Sequence, residues 1–368
     1  MKKSVTCFFI VIYSLTSLAE DLNNEDIKSN SKYYGFHLGI LSYISFETEI
    51  TPEDKILDRF KITRGYLSIK KDLFDFLSFR MTFDLYDDED GAEERVKYLY
   101  AKFHLGDLSI LTQNSLQFGI TQTPWIDFAE HLNFYRMQGT LPLEKNDIYV
   151  SSDFGLSYNC LIGGKIDEEY QNKINKNYPG KYGSITLGVY NGCGYSKFEM
   201  NSLLTLQGRI TLRPLPEFIP GLQLSYYGIW GHGNYNEKYN INPPWQTNLL
   251  AISYENSLLT ILGEIFFGKG DYKAAIVDDK GNPLNYRGYS LFIEGKFIKK
   301  IKLFGRFDFF NRNIEQAENY KLEFISGIGY DFGNQNILLL DYDYIHYENE
   351  IEKDLKLIKL TMQINFND

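Results

Sequence analysis

From Tyr33 to Phe366 the chain alternates apolar and polar residues in short runs, and no long uninterrupted apolar run follows the N-terminus. In the last run Ile358, Leu360, Met362, Ile364 and Phe366 share one parity, while Lys359, Thr361, Gln363 and Asn365 share the other. A period of two makes a strand with one oily and one wet face. Sustained over most of a chain behind an export signal, it predicts an all-β fold, a transmembrane antiparallel barrel.

Parity and turn residues divide the chain into sixteen strands: 33–49, 59–70, 76–87, 95–104, 115–122, 153–165, 181–190, 203–213, 221–231, 246–255, 257–268, 286–298, 301–312, 320–332, 336–347 and 355–366. An even count puts both termini on the periplasmic side. Ahead of the barrel, Lys2 and Lys3, the apolar stretch Val5–Leu18 and the small-x-small site Ser17-Leu18-Ala19 predict a cleaved signal peptide over residues 1–19. Residues 20–32 then form a periplasmic lead-in, and 33–366 the barrel. Removing the signal leaves Cys160 and Cys193. Cys160 falls on the lipid-facing parity of its strand and Cys193 in a loop, so both read as bystander thiols.

Aromatic residues make up 16% of the chain, more than an ordinary soluble domain carries and suited to the two membrane interfaces of a barrel. The mean hydropathy of −0.31 excludes a helical membrane protein. A net charge of −10, lower by two once Lys2 and Lys3 leave, argues against a nucleic-acid partner. No phosphate-binding loop, paired cysteine motif or zinc spacing occurs, and no cofactor is called for.

Connection lengths support the strand order, because inner turns are short and outer loops long in such barrels. Asp167–Gly180 breaks the rule as a long inner connection. The third outer connection, about 123–152, is the longest and carries Trp125, Ile126, Phe128, Leu132, Phe134, Tyr135 and Met137. So many apolar groups predict that it folds into the barrel and narrows it; an external lid or partner-binding surface is the alternative. Its polar residues Asp127, Glu130, Arg136 and Lys145 are then candidates for the constriction.

A barrel of this size cannot fill itself with its own side chains, so an aqueous lumen is expected. Parity turns Arg64, Arg80, Arg209, Arg213, Arg306 and Lys359 inward, since a charge facing lipid at midplane costs about 2–4 kcal/mol. Two readings stay open. The arginines form a ladder that draws anions such as phosphate through the pore, or they pair with Asp84, Asp308, Asp341 and Asp343 and stiffen the wall.

Four segments occur in order: Phe60-Lys61-Ile62-Thr63-Arg64-Gly65-Tyr66-Leu67, Gln117-Phe118-Gly119-Ile120-Thr121-Gln122-Thr123-Pro124-Trp125, Leu187-Gly188-Val189-Tyr190-Asn191-Gly192 and Gly208-Arg209-Ile210-Thr211-Leu212-Arg213-Pro214. In these the chain resembles the phosphate- and pyrophosphate-selective porins of Gram-negative outer membranes. The resemblance implies a sixteen-stranded homotrimeric barrel with its third outer loop folded inward. It also implies that Arg64, Arg209 and Arg213 lie in the lumen. The family's lysine cluster has no counterpart by motif, because Arg136 and Lys145 stand among Asp127, Glu130, Glu144 and Asp147 in the loop.

The leading functional expectation is therefore an outer-membrane porin for passive diffusion of small hydrophilic solutes, including inorganic anions. Its surroundings would be outer-membrane lipid and lipopolysaccharide; the acids Asp87, Asp88, Glu89, Asp90, Glu93 and Glu94 read as a solvated face of an outer loop, or as a site where divalent cations bridge to lipopolysaccharide. A structural or partner-binding barrel acting through its outer loops is the main alternative. An outer-membrane hydrolase is disfavoured because His37, His104, His131, His232 and His346 form no Ser-His-acid motif. A soluble secreted β-sandwich is disfavoured because two sheets could not bury apolar rows on nearly every strand.

Overall fold

The computed structural model describes residues 35–51, 56–88, 91–316, 318–349 and 353–367. The signal peptide and lead-in expected over 1–32 lie outside these residues. Sixteen strands form one closed antiparallel barrel, each paired with its sequence neighbours and the first with the last. They are β1 Phe36–Ile50, β2 Ile56–Phe74, β3 Leu77–Asp88, β4 Gly91–His104, β5 Leu111–Gln122 and β6 Ser152–Ile162. Next come β7 Gly183–Tyr190, β8 Thr205–Leu212, β9 Gln223–His232, β10 Pro244–Glu255 and β11 Leu259–Lys269. The circuit ends with β12 Asn285–Ile298, β13 Ile301–Asn311, β14 Tyr320–Gly333, β15 Asn336–Tyr347 and β16 Leu355–Asn367. Among the described residues no helix is long and apolar enough to cross a membrane.

The parity of the sequence is the parity of the wall. In β8, Gln207, Arg209 and Thr211 are buried while Leu206, Ile210 and Leu212 are exposed. In β16, Thr361 and Gln363 are buried and Leu360, Ile364 and Phe366 exposed. Closure leaves no unpaired strand edge.

The boundaries shift where bulges break the alternation. β5 begins at Leu111, earlier than the alternation reaches, because Gln113 takes φ 51° and the register jumps between Thr112 and Ser115. That bulge also corrects the placement of Cys160. The residue keeps the outward parity, but Tyr158 beside it hydrogen-bonds Asn114 at 2.5 Å across the bulge, and the thiol is buried rather than open to lipid. At the terminal end of the barrel, β14 and β15 are joined by Asn334 and Gln335, both at positive φ. That is the two-residue turn whose twist suits a hairpin.

The connections at the terminal end are short except 163–182 and 213–222, and those at the far end are mostly longer, above all 123–151, although 89–90 between β3 and β4 is only two residues. This long connection folds into a helix α1 (Pro124–Ala129), a 3₁₀ turn (Arg136–Gln138) and a helix α2 (Pro142–Lys145). Its side chains Trp125, Ile126, Phe128, Leu132, Tyr135, Met137, Leu141 and Leu143 form one buried cluster with Tyr227, Leu249, Phe266, Phe292, Phe304 and Leu339 of the strands. Burial of that apolar set, at about 25 cal/mol per Å², is what holds a loop of this length in one place.

Candidate functional site

The inward row is divided by charge. From β10 to β15 it carries Glu255, Glu264, Glu294, Asp308, Glu323, Asp341 and Asp343, all buried. The long loop lies across this acidic arc and bonds to it residue by residue. Trp125 donates its indole N–H to Glu264 at 2.9 Å, and Tyr135 its hydroxyl to Glu294 at 2.5 Å. Lys145 reaches both Glu323 and Asp343, the latter at 3.3 Å. Two wall cations hold the loop backbone in return: Arg306 donates to the Thr140 carbonyl at 2.8 Å and Lys359 to that of Gln138 at 2.6 Å.

The opposite arc, β2 to β4, is basic. Arg64, Lys70, Arg80, Arg95, Lys97 and Lys102 point inward along it. Asp84 stands among them and is shared by Arg64 at 3.1 Å, Arg95 at 3.0 Å and the Tyr195 hydroxyl at 3.2 Å. Rings brace the rest, with Arg80 over Tyr98 at 4.6 Å and Lys97 over Tyr66 at 4.6 Å. Arg64 and Arg95 keep about a quarter of their side-chain surface open.

The loop turns Glu130, Arg136 and Glu144 toward this basic arc. Arg136 is bonded to Glu130 at 3.1 Å and Glu144 at 2.5 Å. Burial alone would raise the Glu144 carboxyl, but Arg136, with Lys97 and Arg64 behind it, outweighs burial and holds it below its ordinary 4.5. A lowered folded pKa gives stability that is complete above the unfolded value and disappears as pH falls through the folded one. Open-channel current noise should therefore rise on acidification below about pH 4. Glu144→Gln should be noisy already at neutral pH, without that acid step; a matching step in both proteins would remove Glu144 as its origin.

The inward cations thus fall into two groups. Arg64 and Arg80 lie on the basic arc. Arg209, Arg213, Arg306 and Lys359 lie on the inward row but under the loop or the 163–182 connection, with 1%, 3%, 3% and 6% of their surface exposed. Arg306 is paired to Asp308 and Lys359 to Asp341 at 3.0 Å. Arg209 has no ion pair among the described residues; it donates to the Pro124 carbonyl, Ser184, Thr186 and Thr211. Arg213 donates to the Pro220 carbonyl at 2.6 Å. In the loop, Trp125 and Lys145 are bonded to the wall, Arg136 is held by the loop's own Glu130 and Glu144, and Asp127 accepts a hydrogen bond from Tyr178.

Sequence reasoning passed over Lys70, Arg95, Lys97 and Lys102. Lys70 follows from the Arg64–Ser68 parity. Lys102 follows likewise from the parity of Tyr98 and Tyr100, whereas Arg95 and Lys97 were obscured by a bulge at Thr82/Phe83, where Tyr98 and Val96 are the successive partners and Lys97 is the extra residue. Among the described residues no group of His, Cys, Asp and Glu is arranged to hold a metal. His104 lies 3.0 Å from Ser78, and His346 pairs with Asp354 at 2.9 Å, both near the barrel rims.

No protein-family model matches the chain, and no curated protein does either. Solved structures match over nearly the whole length. The outer-membrane channel DcaP of Acinetobacter baumannii has a TM-score of 0.61 at 12% identity, covering 93% of this chain and 100% of that one. An anion-selective porin from Comamonas acidovorans has 0.61 at 10% identity, covering 90% and 98%. OmpT of Vibrio cholerae in its trimer form has 0.59 at 10%, covering 90% and 100%. The fold is that of the sixteen-stranded outer-membrane barrels. At such identities the likeness establishes architecture.

Proposed function

We propose that the chain is a passive outer-membrane channel for small hydrophilic solutes, with a preference for inorganic anions. The observation that carries this reading is the separation of charge in the lumen. The loop covers the acidic arc and leaves the basic arc facing the remaining space, so an acidic chain presents a positive passage. Arg64, Arg80 and Lys102 would be its selecting residues, with Lys70 at the terminal mouth. Arg209, Arg213, Arg306 and Lys359 would hold the loop and connection in place. The loop itself would be the constriction.

The test is single-channel recording of refolded protein under a potassium chloride gradient, then with phosphate added. Steady steps with an anion-directed reversal potential are expected, and Arg80→Ala with Lys102→Ala should move that potential toward the cation side. Cation preference in the unsubstituted protein would overturn the anion reading and leave a general diffusion channel. No conductance from a correctly folded barrel would favour a partner-binding role for the far-end loops.

Similarity to porin structures that include a trimer form supports the homotrimer implied by the family resemblance. The exposed apolar row would then face lipid and lipopolysaccharide wherever it does not face another copy.

A further inference from the structure

The outward row of β11, β12 and β13 changes character toward the far end of the barrel. In register across the three strands, Ile261, Ile293 and Gly305 are followed by Gly263, Leu291 and Phe307, then by Ile265, Tyr289 and Phe309. Nearest the rim, Phe267 stands opposite Arg287. Arg287 is exposed, and among the described residues it makes no hydrogen bond or ion pair. No carboxylate of these three strands shares its face, since Glu264, Glu294 and Asp308 all point inward and are buried.

Rings and glycines shape the surface around this cation. Tyr289 and Phe309 stack with ring centres 4.6 Å apart and planes 8° from parallel, and Phe309 stacks in turn on Tyr320 at 5.5 Å. Ile265, Phe267, Arg287, Tyr289 and Phe309 surround a recess of about 440 Å³. Below it, Gly263 beside Leu291 and Gly305 beside Ile293 leave a shallow trough on either side of β12. A Cβ added at Gly305 would meet only the Ile325 carbonyl, 3.9 Å away.

Depth sets what this surface meets. From Arg287 to Phe297, at about 3.3 Å per residue and a tilt of about 40°, the strand descends roughly the 25 Å of a barrel's apolar band. Arg287 therefore stands at the far edge of that band, where lipid headgroups begin. Its planar fork matches a phosphate, aromatic rings suit that interface, and the troughs below suit acyl chains.

We propose that this recess binds a phosphorylated, multiply acylated glycolipid of the outer leaflet. Arg287 holds a phosphate, the Tyr289–Phe309 stack lies beneath the sugar, and acyl chains run down the troughs. The proposal rests on the outer-membrane placement above, which turns the far end to the cell exterior, and not on anion conduction. A free anion would satisfy the guanidinium but leave the recess and troughs empty.

The experiment is native mass spectrometry of the detergent-folded protein titrated with bisphosphorylated lipid A. Arg287→Gln should weaken lipid retention about tenfold, the effect of losing one charge-assisted contact. Removing the phosphates from the lipid should weaken retention by the unsubstituted protein as much, and by Arg287→Gln little further. Phe118→Ala, on the exposed face of β5 across the barrel, should bind as the unsubstituted protein does. Equal retention by Arg287→Gln, or equal retention of the dephosphorylated lipid, would overturn the site. Retention of phosphatidylglycerol at the same concentrations would overturn the glycolipid as its occupant. A trimer that becomes monomeric in Arg287→Glu, with lipid A retention unchanged, would assign the face to a second copy instead. The titration records no current, so its failure leaves the channel reading standing, and a silent channel leaves the lipid site standing.

Discussion

Replacing residues 126–148 by a short flexible linker is expected to raise single-channel conductance several-fold and to weaken anion selectivity. The first effect follows from the removed volume, since the loop supplies α1, the 3₁₀ turn and α2 to the interior. The second follows from what it covers. Without Tyr135 and Lys145, the carboxylates of Glu294, Glu323 and Asp343 lose their loop partners and face water. The wall keeps Lys296, Arg306 and Lys359, but all three are already paired to acids. The positive β2–β4 arc would then face these acids across a wider lumen, where each charge is more strongly screened.

The deletion is structurally feasible. Trp125 and Tyr149 both pack on Tyr227, at 6.3 and 5.8 Å between ring centres, so the retained ends are close. The barrel ladder does not pass through the loop. Conductance and reversal potential measured together decide the matter. An unchanged conductance would refute the loop as the constriction, and a larger channel with undiminished anion selectivity would refute the shielding of the acidic arc.

Arg209→Ala is expected to destabilise the folded protein by about 3 kcal/mol and to make the channel flicker. The side chain is fully buried and makes four hydrogen bonds, from 2.6 to 3.1 Å, to Pro124, Ser184, Thr186 and Thr211. Truncation leaves those acceptors in a site closed to solvent, at about 1–3 kcal/mol for each group that finds no substitute. It also opens a cavity between Phe128 and Tyr178. Because Arg209 touches both the loop and the connection, its loss should loosen them together. Arg209→Lys retains the charge but not the planar fork, and should recover only part of the stability. Guanidinium unfolding monitored by tryptophan fluorescence reads the first effect, because Trp125 follows Pro124. Wild-type stability and quiet current in Arg209→Ala would show that the loop does not depend on this residue.

How much of this was readable in advance depends on the range of the interaction. Period-two alternation is a property of adjacent residues, so the strands, their number and the inward parity of Arg64, Arg80, Arg209, Arg213, Arg306 and Lys359 could be read from the sequence. Bulges interrupt that rule by one residue. They hid the start of β5, the inward turn of Lys97 and the cover over Cys160. The apolar content of 123–152 signalled a buried segment, but nothing local says which wall a segment will lie on.

The amino-acid sequence by itself determined the barrel, because each strand's apolar face must meet lipid and each backbone group must be paired within the membrane. Only the tertiary structure decided which inward charges stay open. Arg80 and Arg209 have the same parity and the same chemistry. One lies on the open basic arc and the other is sealed by a loop from one end and a connection from the other. That distinction depends on contacts between residues such as Trp125 and Glu264, or Asp127 and Tyr178, brought together by closure of the sheet. No periodicity along the chain encodes it.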